Sequence, residues 1–301
     1  MIDVVNMVQG NWFADCQVCT RFLENENHKG ATYSVIDRIS KGPAVLKVFT
    51  GEYSDTLRLL ETESHALKEL ANEEGFPRLV RQDFDVVRPY LVMSYVGSKE
   101  LEQFAESPLS LYFSKRYVQD MKFAYQMVQR VKTVHEHKLI HQDVKIPNYR
   151  VSKEGQVFLI DFGGSLVADY RHVEGRNVLC SEFRTPGLVF GSPGFFAPEV
   201  LLEKEPYYSE YRDVFALGVS LFVLFDKRPF GPFGGELRGY PKELTHGLPG
   251  FDFNVRGMVH KSLWHLIHAA VNKDWKNRPN AGELLEGLED IMVKEGIDFQ
   301  S

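Results

Sequence analysis

Asp143, Lys145, Asn148 and Asp161 are residues whose types and order could move a phosphoryl group. The first three lie in one run, His141-Gln142-Asp143-Val144-Lys145-Ile146-Pro147-Asn148, and the fourth opens Asp161-Phe162-Gly163. Phosphoryl transfer asks a protein for positioning and for charge placed around the phosphate, with little covalent work. A carboxylate such as Asp143 could orient an acceptor hydroxyl and take its proton. Lys145, two residues on, could reach the transferring phosphate. Asp161 and the amide oxygen of Asn148 are the hard oxygen donors that magnesium takes together with substrate phosphates. Each run alone has a plainer reading, the first as a polar loop turning at Ile146-Pro147. Together, and separated by the strand-like stretch 156–160, they form a context that neither has alone.

Such groups need a scaffold. Between 11 and 95, short runs rich in β-branched and aromatic residues read as strands at 16–23, 31–39, 44–49, 83–87 and 90–95, with turn signals at 24–30 and 40–43. One helix interrupts them over 55–71, where Leu59, Leu60, Leu67 and Leu70 fall near helical spacing. After Val96 the pattern turns helical, over 111–137, 213–224, 261–271 and 281–294. The sequence shows neither an internal repeat nor a low-complexity tract.

The 301 residues are 44% hydrophobic and 25% charged, an ordinary globular composition. A net charge of −6 argues against a nucleic-acid partner. Of three cysteines, Cys16 and Cys19 form a C-x-x-C. A redox or zinc reading would need a thioredoxin-like context or a second ligand pair; the surrounding stretch 12–22 reads as a strand, and a reducing compartment fits. His135, His137 and His141 suggest a metal at first sight, but no neighbouring Cys/His set completes a tetrahedral site. The amino terminus lacks the basic start and apolar run of a signal peptide, and no window is long enough to span a membrane as a helix. A cytoplasmic protein without a membrane span is expected, with signal-independent delivery into another cell as the alternative.

The run from His141 resembles the protein-kinase catalytic loop, H-R-D-L-K-x-x-N, and Asp161-Phe162-Gly163 resembles the kinase D-F-G motif. Further landmarks recur in kinase order. Ala44-Val45-Leu46-Lys47 resembles the V-A-I-K strand, which implies that Lys47 binds the α- and β-phosphates. Its implied partner is a Glu on the next helix. Glu63 suits better than Glu61, because Ala66, Leu67 and Leu70 share its inward face. The stretch 91–96 resembles the strand entering the hinge, with Met93 behind the adenine, Ser94 and Val96 offering backbone groups, and Val96-Gly97-Ser98 as the hinge. The stretch 191–199 resembles G-T-x-x-Y-x-A-P-E, with Ser192 at the Thr position and Glu199 expected to pair with Arg278. Asp213-Val214-Phe215-Ala216-Leu217-Gly218 resembles D-x-W-x-x-G, which implies that Asp213 anchors the catalytic-loop backbone.

The resemblance covers a single kinase domain at 11–288. It implies an α+β, bilobal protein-kinase-like fold: an extension at 1–10, a small β-rich lobe at 11–95 and a larger helical lobe at 96–301. It also implies ATP and Mg2+ as cofactors, a protein substrate, and Asp143, Lys145, Lys47 and Glu63 as the catalytic set, with Asn148 and Asp161 on the metal.

Three departures stand out. The phosphate-covering loop keeps only Gly30 of three glycines. Asn25 and Asn27 tolerate positive φ and would keep a similar turn, lining the nucleotide with Gly30, Thr32 and Val45; a plain hairpin turn with weak nucleotide binding is the alternative. Arg150 takes a usually apolar position beneath the adenine, where a cation could stack on the base. Gln142 replaces the Arg that grips an activation-segment phosphate. Guanidinium forms paired, charge-assisted bonds that an amide cannot. Activity independent of a phosphate at that clamp is therefore expected, whichever of Ser165, Tyr170, Ser181 and Thr185 is modified in 164–190. The Gly/Pro-rich stretch 225–253 falls where the family places a substrate-docking helix. An active Ser/Thr kinase leads over a pseudokinase scaffold. A small-molecule kinase comes last, since those generally lack the Ala197-Pro198-Glu199, Asp213 and Arg278 features.

Overall fold

A computed structural model describes residues 16–24, 30–49, 53–86, 88–97, 99–101, 113–181, 191–201, 208–226 and 261–299. The chain divides into two compact units, Met1–Val96 and Gly97–Ser301.

The first unit is an antiparallel five-stranded sheet with a helix. Its strands are β1 (Cys16–Glu24), β2 (Gly30–Asp37), β3 (Gly42–Phe49), β4 (Leu79–Asp83) and β5 (Tyr90–Ser94), in the order β1-β2-β3-β5-β4. Alternation sorts β2 and β3 into two faces. Ala31, Tyr33, Val35, Ala44, Leu46 and Val48 fill one apolar cluster with Val92. β2 ends at Asp37 rather than 39: Lys41 turns back with φ 56°, and the Ser40 N–H donates to Asp37 Oδ2 at 2.7 Å. The expected strand at 83–87 is displaced to 79–83. Leu79 pairs with Met93 and Asp83 with Tyr90, so the residues after Asp83 must connect two neighbouring antiparallel strands. Helix α1 (Tyr53–Glu69) buries Leu60, Glu63, Ala66 and Leu67 on one stripe.

The second unit is mainly helical. Its longer helices among the described residues are α2 (Phe113–Glu136), α4 (Tyr211–Asp226), α5 (Lys261–Ala270) and α6 (Ala281–Lys294); a short turn of helix, α3 (Pro198–Leu201), precedes α4. α4 is buried from Tyr211 to Phe225. A helix buried on every side belongs in a core, and the charged residues of this stretch, Arg212 and Asp213, are confined to the first turn. Gly218 permits its close packing, because a Cβ there would meet Val271 at 2.8 Å and Ala270 at 2.9 Å. α6 begins with a reciprocal capping box between Asn280 and Glu283.

Small strands carry the loops of this unit. β6 (Lys99–Glu100), β8 (Tyr149–Val151) and β9 (Val157–Leu159) form one sheet, and β7 (Leu139–Ile140) pairs with β10 (Leu166–Val167). A hairpin of β11 (Asp169–Val173) and β12 (Arg176–Ser181) extends to β13 (Tyr208–Ser209). Its turn is Glu174-Gly175, both residues with positive φ, at 48° and 85°; positive φ at both turn positions suits the twist of paired strands.

Candidate active site

In the first unit, register gathers several expected nucleotide residues on one face of the sheet. Thr32 pairs with Lys47, and Val45 pairs with Met93. Directly opposed residues share a face, so Thr32, Val45, Lys47 and Met93 lie together, opposite the Tyr33–Leu46 cluster. Lys47 Nζ donates to both carboxylate oxygens of Glu63, at 2.7 and 2.8 Å. Glu63 is buried, whereas Glu61 is exposed. Met93 is buried. The Ser94 N–H is taken by the Arg78 carbonyl at 2.8 Å, which restricts Ser94 to its carbonyl as a partner for a base edge. Gly30 opens β2, and Val96 is half-buried at the end of the unit. Asn25 and Asn27 lie outside the described residues, as do Ser98 and Thr185.

In the second unit, the catalytic-type loop hangs from a buried carboxylate. Asp213, in the first turn of α4, accepts the backbone N–H of His141 at 2.7 Å and of Gln142 at 2.8 Å. His135 Nε2 donates to Asp213 Oδ2 at 3.1 Å. Burial would raise this carboxyl, but the His135 bond, the nearby imidazoles and the His141 N–H outweigh it and hold the pKa below the ordinary value. His141 accepts the Asp143 N–H on Nδ1 at 3.3 Å and meets the Ile160 carbonyl through Nε2 at 3.1 Å, so Nε2 carries the proton. Its ring packs 4.7 Å from that of Phe162. His135 and His141 thus serve hydrogen bonds and packing, and among the described residues no group of three His, Cys, Asp or Glu is placed to hold a metal.

Around Asp143 the side chains converge. Lys145 Nζ donates to Asp143 Oδ2 at 2.7 Å and to Ser192 Oγ at 2.6 Å, while Ser192 Oγ donates to Asp143 Oδ1 at 2.8 Å. Asn148 Nδ2 donates to the Asp143 carbonyl at 2.8 Å, which leaves Oδ1 as its metal-type donor. The Ile160 N–H donates to the Asn148 carbonyl at 3.0 Å, so the residue before Asp161 is tied to Asn148. Asp161 itself takes a left-handed φ of 69°, a strain of about 1–3 kcal/mol for a non-glycine residue. The carboxylate of Asp161 and the amide oxygen of Asn148 are by type the hard donors that magnesium takes beside water and substrate phosphates. Arg150 is half-buried in β8, opposite Glu100 and Phe158.

Glu199 and Arg278 form the expected pair. Both are buried, Arg278 Nη2 donates to Glu199 Oε2 at 2.7 Å, and Nη1 bonds the other carboxylate oxygen. Arg278 also donates to the carbonyls of Tyr211 at 3.0 Å and Asn272 at 2.7 Å. A buried guanidinium needs this many acceptors.

Residues 28–287 match the protein kinase domain. The chain belongs to that family. The α+β kinase-like fold expected from the sequence agrees with the mixed strands and helices of the two units. Relatives include serine/threonine-protein kinase PKH3 of Eremothecium gossypii, 28% identical over 210 residues that cover 68% of this chain and 27% of the relative. A probable serine/threonine-protein kinase of Dictyostelium discoideum is 36% identical over 143 residues, 47% of this chain and 18% of the relative. CBL-interacting serine/threonine-protein kinase 18 of Arabidopsis thaliana is 35% identical over 136 residues, covering 45% and 23%. The chain therefore spans about a quarter or less of the length of these relatives. Lys47, Glu63, Asp143, Asn148, Asp161, Asp213 and Arg278 all fall inside the span matching the family.

Two contributors to the candidate site are not evident from the sequence. The sequence marks Ser192 only as the residue at a Thr position, yet its hydroxyl bonds Asp143 and Lys145 together. Arg212 carried no expectation, yet its Nη1 donates to Gln142 Oε1 at 3.0 Å. The one available signal was its position, immediately before Asp213.

Proposed function

We propose that the chain is a Ser/Thr protein kinase that transfers the γ-phosphoryl group of ATP to a protein hydroxyl, and that its activity does not need a phosphate on the activation segment. The observation that carries this is the Asp143–Lys145–Ser192 cluster. Asp143 Oδ2 accepts from Lys145 and Oδ1 accepts from Ser192, so the carboxylate is held in one rotamer with its charge compensated. Asp143 orients the acceptor hydroxyl and takes its proton as the bond to phosphorus forms. Lys145 lies against Asp143 with its ammonium available to the transferring phosphoryl oxygens. Lys47, aligned by Glu63, binds the α- and β-phosphates. Thr32, Val45 and Met93 line the nucleotide together with the backbone of Gly30, Ser94 and Val96, all in the first unit. Asp161 and Asn148 Oδ1 would hold magnesium, which when bound neutralises phosphate charge.

Two features support independence from a segment phosphate, the amide at position 142 and the burial of the segment's described serines. Gln142 cannot grip a phosphate as Arg does. Ser165 and Ser181 are buried, and Ser165 Oγ donates to the Phe162 carbonyl at 2.6 Å. Among the described segment hydroxyls, Tyr170 is the exposed one.

The test is incubation with labelled ATP, magnesium and a generic acceptor protein, beside Asp143→Ala and Lys47→Ala. Label on protein with the intact chain alone is the expected result. Nucleotide binding without transfer would make the chain a binding module, and transfer only to a metabolite would make it a small-molecule kinase.

A further inference from the structure

Gln142 is more than a missing arginine. It sits at φ 67°, buried, between two groups of opposite hydrogen-bonding character. Its Nε2 donates to the carbonyl of Gly164, the first residue after the Asp161-Phe162-Gly163 motif, and its Oε1 accepts from Arg212 Nη1 at 3.0 Å. Arg212 is buried, and its guanidinium carbon stands 4.2 Å over the ring of Tyr208. Tyr208 in turn pairs with Ser181 at the far end of the β11–β12 hairpin. One path therefore runs from Gly164 through Gln142 and Arg212 to β13 and the end of that hairpin.

An amide is the side chain such a path requires. It has an acceptor for the guanidinium and a donor for the carbonyl. A carboxylate lacks the donor, and an arginine lacks the acceptor. The hairpin is fastened at other points as well. The Leu179 N–H donates to Glu210 Oε1 at 3.1 Å, the Glu210 N–H returns to the Leu179 carbonyl at 2.9 Å, and the Ala168 N–H donates to the Lys138 carbonyl at 2.8 Å.

We propose that Gln142 and Arg212 form an internal clamp, in which Arg212 is a positioning residue that supplies from α4 the cation needed to tie both ends of the activation-segment hairpin to the catalytic loop. The clamp deepens the kinase reading above and rests on it for its catalytic consequence. Its geometry makes a counter-intuitive demand. Restoring the family's usual residue with Gln142→Arg should harm this chain, because it sets a second buried guanidinium against Arg212.

The experiment is a double-mutant cycle on the full chain with Gln142→Arg, Arg212→Gln and the two combined, read by phosphorylation of myelin basic protein and by thermal unfolding. The swap keeps one guanidinium and one amide in the clamp. Gln142→Arg should lower kcat about tenfold or more with the KM for ATP within about twofold, and lower Tm; the combined variant should recover most of both losses, since contacting residues are non-additive. Phosphatase treatment should leave wild-type activity unchanged. Full activity in Gln142→Arg would overturn the clamp, and so would additive losses in the combined variant or dependence on a segment phosphate. If neither wild type nor any variant transfers phosphate, the kinase reading fails, while the cycle in Tm still decides the clamp. A Gln142→Arg chain that cannot fold is decided the same way, by whether Arg212→Gln restores folding to it.

Discussion

Lys47 in the first unit is aligned by a side chain reaching from a helix to a strand, whereas Asp143 in the second sits on a loop whose backbone is gripped from beneath. The Lys47–Glu63 bond joins two long side chains, at 2.7 and 2.8 Å. Asp213, by contrast, bonds the main-chain N–H groups of His141 and Gln142. A side-chain pair fixes the identity of both partners. A grip on the backbone fixes the path of the loop and leaves its side chains to be set by other partners, as Gln142 is by Gly164 and Arg212. This is how Gln142 can stand in place of an arginine without disturbing Asp143 beside it.

The comparison breaks most readily at Asp213. Asp213→Ala should leave two buried N–H groups and His135 Nε2 without their acceptor, at about 1–3 kcal/mol for each unsatisfied group. A loss of about 3–5 kcal/mol in urea unfolding is expected, with transfer abolished. A loss below about 1 kcal/mol would show that the loop holds its own path. Lys47→Met should cost less stability, about 1–3 kcal/mol, because it strands one carboxylate rather than a loop. Turnover should nonetheless fall about 10²–10³-fold, the scale of removing one preorganised charge donor. Equal stability losses in these two variants would erase the contrast between the units.

Ser192 separates a hydroxyl's role from that of a shape. Ser192→Thr keeps the bonds to Asp143 and Lys145 and should stay within about threefold of wild-type kcat. Ser192→Ala should lose about tenfold, with about 1 kcal/mol of stability, the net value of one hydrogen bond. Steady-state kinetics on the two variants decides this.

The smallest effect is acid sensitivity in the first unit. Asp37 is buried, which alone would raise its pKa, but the Ser40 bonds and Arg81 bring it down to about 2 from 3.8. A carboxyl depressed on folding contributes stability that is fully present above the unfolded value. That stability is lost as pH falls through the folded value. Between about pH 4 and pH 2 the unfolding free energy should fall less steeply in Asp37→Asn than in wild type; parallel slopes would refute the assignment.

Much of the second unit's chemistry could be read from the sequence because it depends on short spacings. The Asp143–Asn148 run closes on itself through Asn148 Nδ2, and the helix at 281–294 was bounded by its own cap. What the sequence hid depends on pairing across distance. Phe84 and Val86 have strand-like side chains, yet the strand lies before them, since β4 must pair backwards onto β5 from Asp83 to Leu79. The β11–β12 hairpin went unread because Glu174-Gly175 is a weaker turn signal than Asn-Gly. Its flanks also mix charge with apolar residues, and its outer strand pairs with β13 from a distant part of the chain. Arg212 reaches Gln142 across seventy positions of sequence, a contact no local pattern encodes.

Gly191 carries a last consequence, for anyone who would diversify this protein. It takes φ 127°, and a Cβ there would come within 2.6 Å of the Phe196 ring and 3.0 Å of the Gln142 carbonyl. The residue before Ser192 can therefore carry no side chain at all. A library randomised at this codon and selected for transfer should return glycine alone, even though the position bears no chemistry of its own.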